Sequence, residues 1–407
     1  MIATASEANC GRTPAKTVPA VSVVIPTFNR ADMVGQAIDS VLQQSFTDFE
    51  IVVVDDGSTD DTEVRILEYG DRVRYVKTNN GGVAHARNVG MRTARGRYLT
   101  FLDSDDLLYP YALELQTGLL ERFPDTAFVC AEMSGFDDAG FFDRRHLKTY
   151  HRSAYRDPSV TYDSIFESSL PLADAVALPL SLTQEDPSAG ARRVYLGNVF
   201  DSYLLNIVLC QNTVMLRSEI VSVVGVRNER VKHWQELEYL LRISRRHTVC
   251  FADIPTYKLR YHDGQISSTA RADGTRVWMR KQQILLRVVK RHALADPAYY
   301  LQHRPRIDRH LAHLHRAAAV PMLLLGGRRT ARRQARAARL HLARCAIYGQ
   351  PARVLLAASF APAPIRHAIV KLVETVRQLR WTVIQRLSSG VTSVVSQAGP
   401  MFAERLQ

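Results

Sequence analysis

The sequence predicts an α/β protein: a mostly parallel sheet flanked by helices, with a basic all-helical C-terminal extension. Three observations lead there. Apolar, β-branched runs alternate with segments of helical period over the first hundred residues, the pattern of a sheet with helices on its faces. Three of those runs stop abruptly in polar clusters. Charge is divided unevenly: residues 1–270 hold 28 Lys and Arg against 35 Asp and Glu, residues 271–407 hold 25 against 5, and the net charge of +13 splits into −7 and +20.

The elements follow in order. "VSVVIPTF" (21–28) reads as a strand buried on both faces. "ADMVGQAIDSVLQQS" places Val34, Ala37, Ile38, Val41 and Leu42 on one helical stripe. "FEIVVVDDGSTDDT" is a second buried strand ending in a turn, and "VRYVKT" is a third. "NNGGVAHARNVGMRTA" is a glycine-started loop entering a helix, and "YLTFL" is a fourth strand. Residues 143–197 mix proline, serine and charge without period and read as irregular. A strand and helix return at "NTVMLRSEIVSVVG", and a helix then a strand at "WQELEYLLRISRRHTVCFADI".

A chain of 407 residues, 46% of them hydrophobic, has room for two domains. The expected division is a disordered leader over 1–18, a catalytic domain over 19–270 and a basic helical region over 271–407. The leader lacks the apolar core of a signal peptide, and no apolar window of about 18 residues predicts a spanning helix. The five cysteines are scattered without metal-ligand spacing, which fits reduced thiols in a cytoplasmic protein.

The chemistry is expected at the strand ends, because ligands of open α/β sheets bind beyond the carboxyl ends of the strands. The clusters Pro26-Thr27-Phe28-Asn29, Asp55-Asp56-Gly57-Ser58 and Asp103-Ser104-Asp105-Asp106 should share one rim. Helix capping accounts for one aspartate of the last cluster, not three. An EF-hand loop does not fit, since no glycine occupies its sixth position. A hard divalent cation shared with a phosphate fits better, because Mg²⁺ typically takes one or two carboxylates plus substrate phosphates. Asp56 stands where a carboxylate can accept from a nucleoside N–H. The glycine loop before Arg87 lets backbone approach a diphosphate that Arg87 neutralises. Neither a P-loop nor a dinucleotide fingerprint is present.

Taken together, "VSVVIPTFNRADMVGQAIDSVLQQSFTDFEIVVVDDGSTDDT", "GGVAHARNVGMRTARGRYLTFLDSDD" and "GVRNERVKHWQELEYLLRI" resemble the family 2 glycosyltransferases of GT-A fold. The resemblance spans about residues 21–268 and is densest in the first hundred. It implies inverting transfer from a nucleotide-diphosphate sugar, usually a uridine diphosphate sugar, to a hydroxyl of a saccharide or lipid-linked acceptor. It implies Mg²⁺ or Mn²⁺ on the D-x-D aspartates, Asp103 and Asp105, with Asp106 a further candidate. Pro26, Thr27, Asn29 and Asp56 match the nucleoside pocket, with Arg87 and Asp103 at the diphosphate. The family's general base follows an acid at a helix start. Here Gln235 replaces that companion acid and Glu236 stands in the base position, with Glu238 as fallback. "LRYHDG" resembles a late Arg-x-His segment, making His262 a candidate metal ligand beside Arg260.

Two rival functions are a non-catalytic sugar-nucleotide-binding scaffold, motivated by Gln235, and a nucleotidyltransferase, for which only Arg30 is available near the first strand. In the tail, arginines interleave with Leu, Val and Ile at helical spacing, and aromatic platforms for nucleic acid are scarce. No nucleic-acid partner is expected. The pattern fits helices lying against an anionic membrane surface through residues 271–407, at the inner face of the plasma membrane.

Overall fold

The computed structural model describes residues 18–155, 157–265 and 275–324, with scattered positions between 355 and 375. The expected leader, and the tail segment "RRTARRQARAARLHLARCAIYG", fall outside them. The chain divides into two compact units, one ending at Tyr261 and one starting at His262.

The first unit is built on one mixed sheet. Its strands are β1 (Val21–Thr27), β2 (Phe49–Asp55), β3 (Arg74–Lys77), β4 (Tyr98–Phe101), β5 (Leu107–Leu108), β6 (Thr126–Asp137), β7 (Gly140–Asp143), β8 (Ser168–Pro171), β9 (Arg193–Gly197), β10 (Met215–Arg217) and β11 (Thr248–Arg260). The order is β3-β2-β1-β4-β10-β6-β11-β9-β8, with β5 on β11 and β7 on β6. β3, β2, β1 and β4 run parallel, as the alternation predicts, and β6 and β11 form a second long parallel ladder. Antiparallel β10 joins the two parallel groups.

Burial explains the sequence pattern. Every residue of β1 and β4 is buried, as continuous apolar runs require. Helix α1 (Ala31–Leu42) buries Val34, Ala37, Ile38 and Val41. Helix α3 (Val83–Thr93), which follows the short α2 (Thr62–Leu67), lies tightly on β1. A Cβ added at Gly90 would stand 2.2 Å from Cγ1 of Val24.

Residues 143–197 differ from the irregular expectation. They form short helices, Leu147–Tyr150, Tyr162–Ile165, Leu172–Ala175 and Leu180–Glu185, and the antiparallel pair β8 and β9 that extends the sheet. Helices of four to six residues carry too few positions to show a period. Cys130, Cys210 and Cys250 are buried free thiols.

In the second unit, Thr275–Ala293 and Pro297–Leu324 are helical. Leu286, Val288 and Val289 are buried, while Arg280, Arg287 and Arg291 are exposed. Among the described residues no helix is long and apolar enough to cross a membrane.

Glu132 is a buried carboxylate on β6. It accepts N–H groups of Met133 and Leu147 and the hydroxyl of Tyr162. Burial raises its pKa above the ordinary 4.5 despite those donors. The folded state therefore holds a proton that the unfolded chain releases near pH 4.5. Stability from this group is full below that pH and declines as pH rises through the folded-state value, by up to about 1.4 kcal/mol per unit. Urea unfolding across this range should show the decline in the wild type, and Glu132→Gln should lack it.

Candidate functional site

Parallel register brings the three polar clusters together. Thr27 of β1 pairs with Asp55 of β2, and Val24 of β1 with Phe101 of β4, so all three strands end at one edge. Their loops interlock. The N–H of Asn29 donates to Oγ of Ser58 at 2.9 Å, and Oδ1 of Asn29 accepts from the N–H of Thr59 at 2.9 Å. Asp55 accepts from the N–H of Ser58 and the hydroxyl of Tyr75. Pro26 and Thr27 are buried at the end of β1, where Oγ1 of Thr27 has no hydrogen-bond partner.

Asp56 has a specific task here. Its two oxygens accept the N–H groups of Gly81 and Gly82, at 2.9 and 2.7 Å. It thereby fastens the glycine loop at the start of α3. Gly82 has φ of 89°, where a side chain would be strained.

The next turn of α3 carries Arg87, which is almost wholly buried. Its Nη2 donates to Oδ1 of Asp103 at 2.6 Å, and its Nη1 donates to Oε1 of Glu236 at 2.8 Å. Burial alone would lower the pKa of Arg87, but the two carboxylates more than reverse that and push it up. One guanidinium thus joins Asp103 to Glu236, which lies 149 positions from Arg87 in sequence.

The three aspartates divide their work. Asp106 is 2% exposed. The hydroxyl of Tyr257 and the N–H of Arg260 each donate to one of its oxygens at 2.7 Å. Burial, then Asp105 and Asp103, raise its pKa well above the ordinary range. It braces β11 against the loop. Asp103 and Asp105 remain partly open, with side chains 29% and 19% exposed. Oδ2 of Asp103 accepts from Nδ2 of Asn212, and Arg30 stands 3.7 Å from Asp105. Arg260 also donates through Nε to the carbonyl of Asp105.

Among the described residues no three His, Cys, Asp or Glu side chains converge to hold a metal ion by themselves. The donor set fits a hard cation only as the protein's share of a coordination sphere: the side chains of Asp103 and Asp105 are partly exposed, and Asp106 is sealed. His262 opens the second unit, outside the unit that carries these residues.

The Glu236 side chain is 22% exposed and stands second in the helix Gln235–Ser244. Trp234, immediately before it, has φ of 62°. Asn29, at the end of β1, has φ of 50°, and these are the non-glycine residues of positive φ among those described. Such backbone persists where the surroundings enforce it, and both examples lie in this region. Gln235 is buried with Oε1 unpartnered. Glu238 is buried and paired with Arg242. Tyr257, Asn212 and Arg227 border the cluster without having been singled out by sequence reasoning. Arg227 lies within the "GVRNER" segment, and its buried cation is a signal only the folded chain reveals.

Residues 22–169 match the model of the family described as Glycosyl transferase family 2. The chain is 42% identical over 104 residues to an uncharacterized glycosyltransferase of Rickettsia prowazekii, covering 26% of this chain and 33% of that protein. It is 45% identical over 120 residues to a chondroitin synthase of Escherichia coli, covering 28% of this chain and 17% of that protein. These matches span a third or less of those relatives' own length. Among solved structures, a mannosyltransferase from Pyrobaculum calidifontis in complex with GDP-Man and Mn²⁺ aligns with a TM-score of 0.47 at 16% identity. That alignment covers 88% of this chain and 85% of that one.

The brace at Asp106 gives a direct test. Tyr257→Phe removes a hydroxyl that donates to Asp106 and accepts from the N–H of Asp103 at 3.2 Å. Leaving such buried groups unpaired costs about 1–3 kcal/mol. Urea unfolding at pH 7 should show a loss of that size, and an unchanged midpoint would remove the brace.

Proposed function

We propose that this protein transfers a sugar, with inversion, from a nucleotide-diphosphate donor to an acceptor hydroxyl, a reading supported by the match of residues 22–169 to the model of Glycosyl transferase family 2. The donor is read as a uridine diphosphate sugar and the acceptor as a saccharide or lipid-linked saccharide. The observation that carries the reading is the Arg87 bridge between Asp103 and Glu236. It supports the reading because Asp103, read as the diphosphate end of the donor site, and Glu236, read as the base, share one cation.

Glu236 takes the proton of the acceptor hydroxyl as that oxygen bonds to the anomeric carbon. The bond from that carbon to the diphosphate oxygen breaks on the opposite face, and the leaving group departs with the electron pair. Arg87 holds the Glu236 side chain in place through its Nη1 and supplies positive charge near the leaving group. Asp103 and Asp105 would hold Mg²⁺ or Mn²⁺, which when bound offsets the charge developing on the diphosphate. Pro26, Thr27, Asn29 and Asp56 form the nucleoside side of the site, with Asp56 acting through the glycine loop.

The exposed Arg280, Arg287 and Arg291 on Thr275–Ala293 support association with an anionic membrane surface. The buried state of Leu286, Val288 and Val289 favours attraction by charge over insertion of an apolar face.

Two measurements test these readings. Glu236→Gln should lower transfer by about 10²–10⁴-fold while nucleotide affinity is kept; an unaffected rate removes Glu236 as the base. In vesicle flotation, the wild type should float with phosphatidylserine liposomes at low salt and less so at high salt. Reversing Arg280, Arg287 and Arg291 to Glu should cut partitioning by more than about a hundredfold, at about 1 kcal/mol per cation lost.

A further inference from the structure

One cavity of the first unit shares no lining residue with the cluster around Arg87 and Glu236. It encloses about 260 Å³, just below the usual range for drug-sized ligands, which leaves room for a single small molecule. It opens where β11 breaks its ladder. The register of β11 against β6 shifts on both sides of Pro255, and bulges of this kind re-aim side chains. Ile254 and Pro255 line the gap, and Tyr109 and Tyr111 close it from the loop after β5.

The walls are tied together. The hydroxyl of Tyr111 donates to the carbonyl of Pro255 at 2.9 Å, and the rings of Tyr109 and Tyr111 stack at 5.4 Å. Oγ of Ser134 donates to the carbonyl of Arg144 at 2.8 Å, so the hydroxyl of Tyr109 is the donor in its 2.9 Å bond to that Oγ. The segment that carries Arg144 and Arg145 is thereby fastened to the tyrosines.

The charged lining groups come in pairs: Arg145 with Asp253, Arg144 with Glu185 at 3.1 Å, and Arg192 with Asp186 at 3.4 Å. Asp253 lies deepest, its side chain 14% exposed, and Arg144, at 63%, stands at the mouth. Three cations against three anions leave no net charge for an ionic ligand to neutralise. They do leave hydrogen-bonding capacity. A guanidinium has five N–H donors and a carboxylate about four acceptor sites, and each pair uses one N–H and one oxygen on its partner. Leu182, Ile254 and Pro255 add an apolar strip. Donors and acceptors that alternate beside an apolar strip suit a ring whose substituents each donate and accept while its C–H groups stay apolar. A pyranose has that form.

We propose that this cavity binds one neutral saccharide unit, at a site separate from the one assigned to transfer. The unit is a free sugar or one residue of a chain. The proposal goes beyond the donor reading and does not depend on it.

Saturation-transfer difference NMR on the full chain, without nucleotide or metal, tests it. The probes are glucose, galactose, mannose, N-acetylglucosamine and chitotetraose, with glucuronate and inorganic phosphate as anions. At least one neutral sugar should bind. Arg192→Ala and Glu185→Ala, both at positions open to solvent, should each weaken it by about fivefold or more, as the loss of a hydrogen-bonding partner implies. Glu236→Gln should leave that affinity unchanged. Tighter binding of chitotetraose than of N-acetylglucosamine assigns the site to a chain; a monosaccharide bound as well or better assigns it to a free sugar.

Neutral sugars inert toward the wild type overturn the site, as does binding that both alanine variants leave intact. Binding lost in Glu236→Gln moves the saccharide to the transfer centre and overturns the separate site. Glucuronate or phosphate bound while every neutral sugar is inert overturns the neutral assignment. Failure of the donor reading shows elsewhere, as a wild type that binds no UDP with Mg²⁺ present; sugar binding that depends on Arg192 then still supports the cavity.

Discussion

A buried guanidinium between two carboxylates is the constraint on which the first unit depends. Arg87 donates to Asp103 on one side and Glu236 on the other. Removing either acid would leave a buried cation with half its compensation, a change that typically costs several kcal/mol. The sheet must therefore deliver the end of β4 to the same place as the helix Gln235–Ser244. The close seat of α3 on β1, with Gly90 against Val24, fixes where the arginine reaches.

This arrangement also answers how three neighbouring aspartates coexist. Like charges at such spacing disfavour the ionised form. Arg87 and Asn212 neutralise or solvate Asp103, Arg30 stands near Asp105, and Asp106 is withdrawn from water under the hydroxyl of Tyr257. The cluster is thus a buried brace carrying two outward carboxylates.

Much of this was legible in the sequence, because the signals are local. A continuous apolar run followed by a polar turn reports a buried strand ending at a site. The rim residues Asn29, Asp56 and Asp103 sit at such ends and come together as parallel register demands. The roles were harder to read. Asp56 looked available to a nucleoside, yet both its oxygens hold the glycine loop. Tyr257 pairs with Asp106 across 151 positions, and nothing in either local sequence announces the partner. β10 is three residues long and too short to show that it reverses direction between two parallel groups. Arg227 reads as one arginine among many until burial makes its charge expensive.

The contacts around α3 join the two ends of the site mechanically. Asp56, at the end of β2, holds Gly81 and Gly82 at the helix start. On the next turn, Arg87 grips Asp103 and Glu236, and Asn88 grips the backbone of Arg227. A helix is stiff over so short a length, and its rise per residue is fixed. The spacing between the glycine loop and the paired guanidiniums is therefore set by α3 and not by flexible side chains. The glycine loop and the two arginines therefore keep a fixed separation, because the contacts that hold them all run through one short rigid helix.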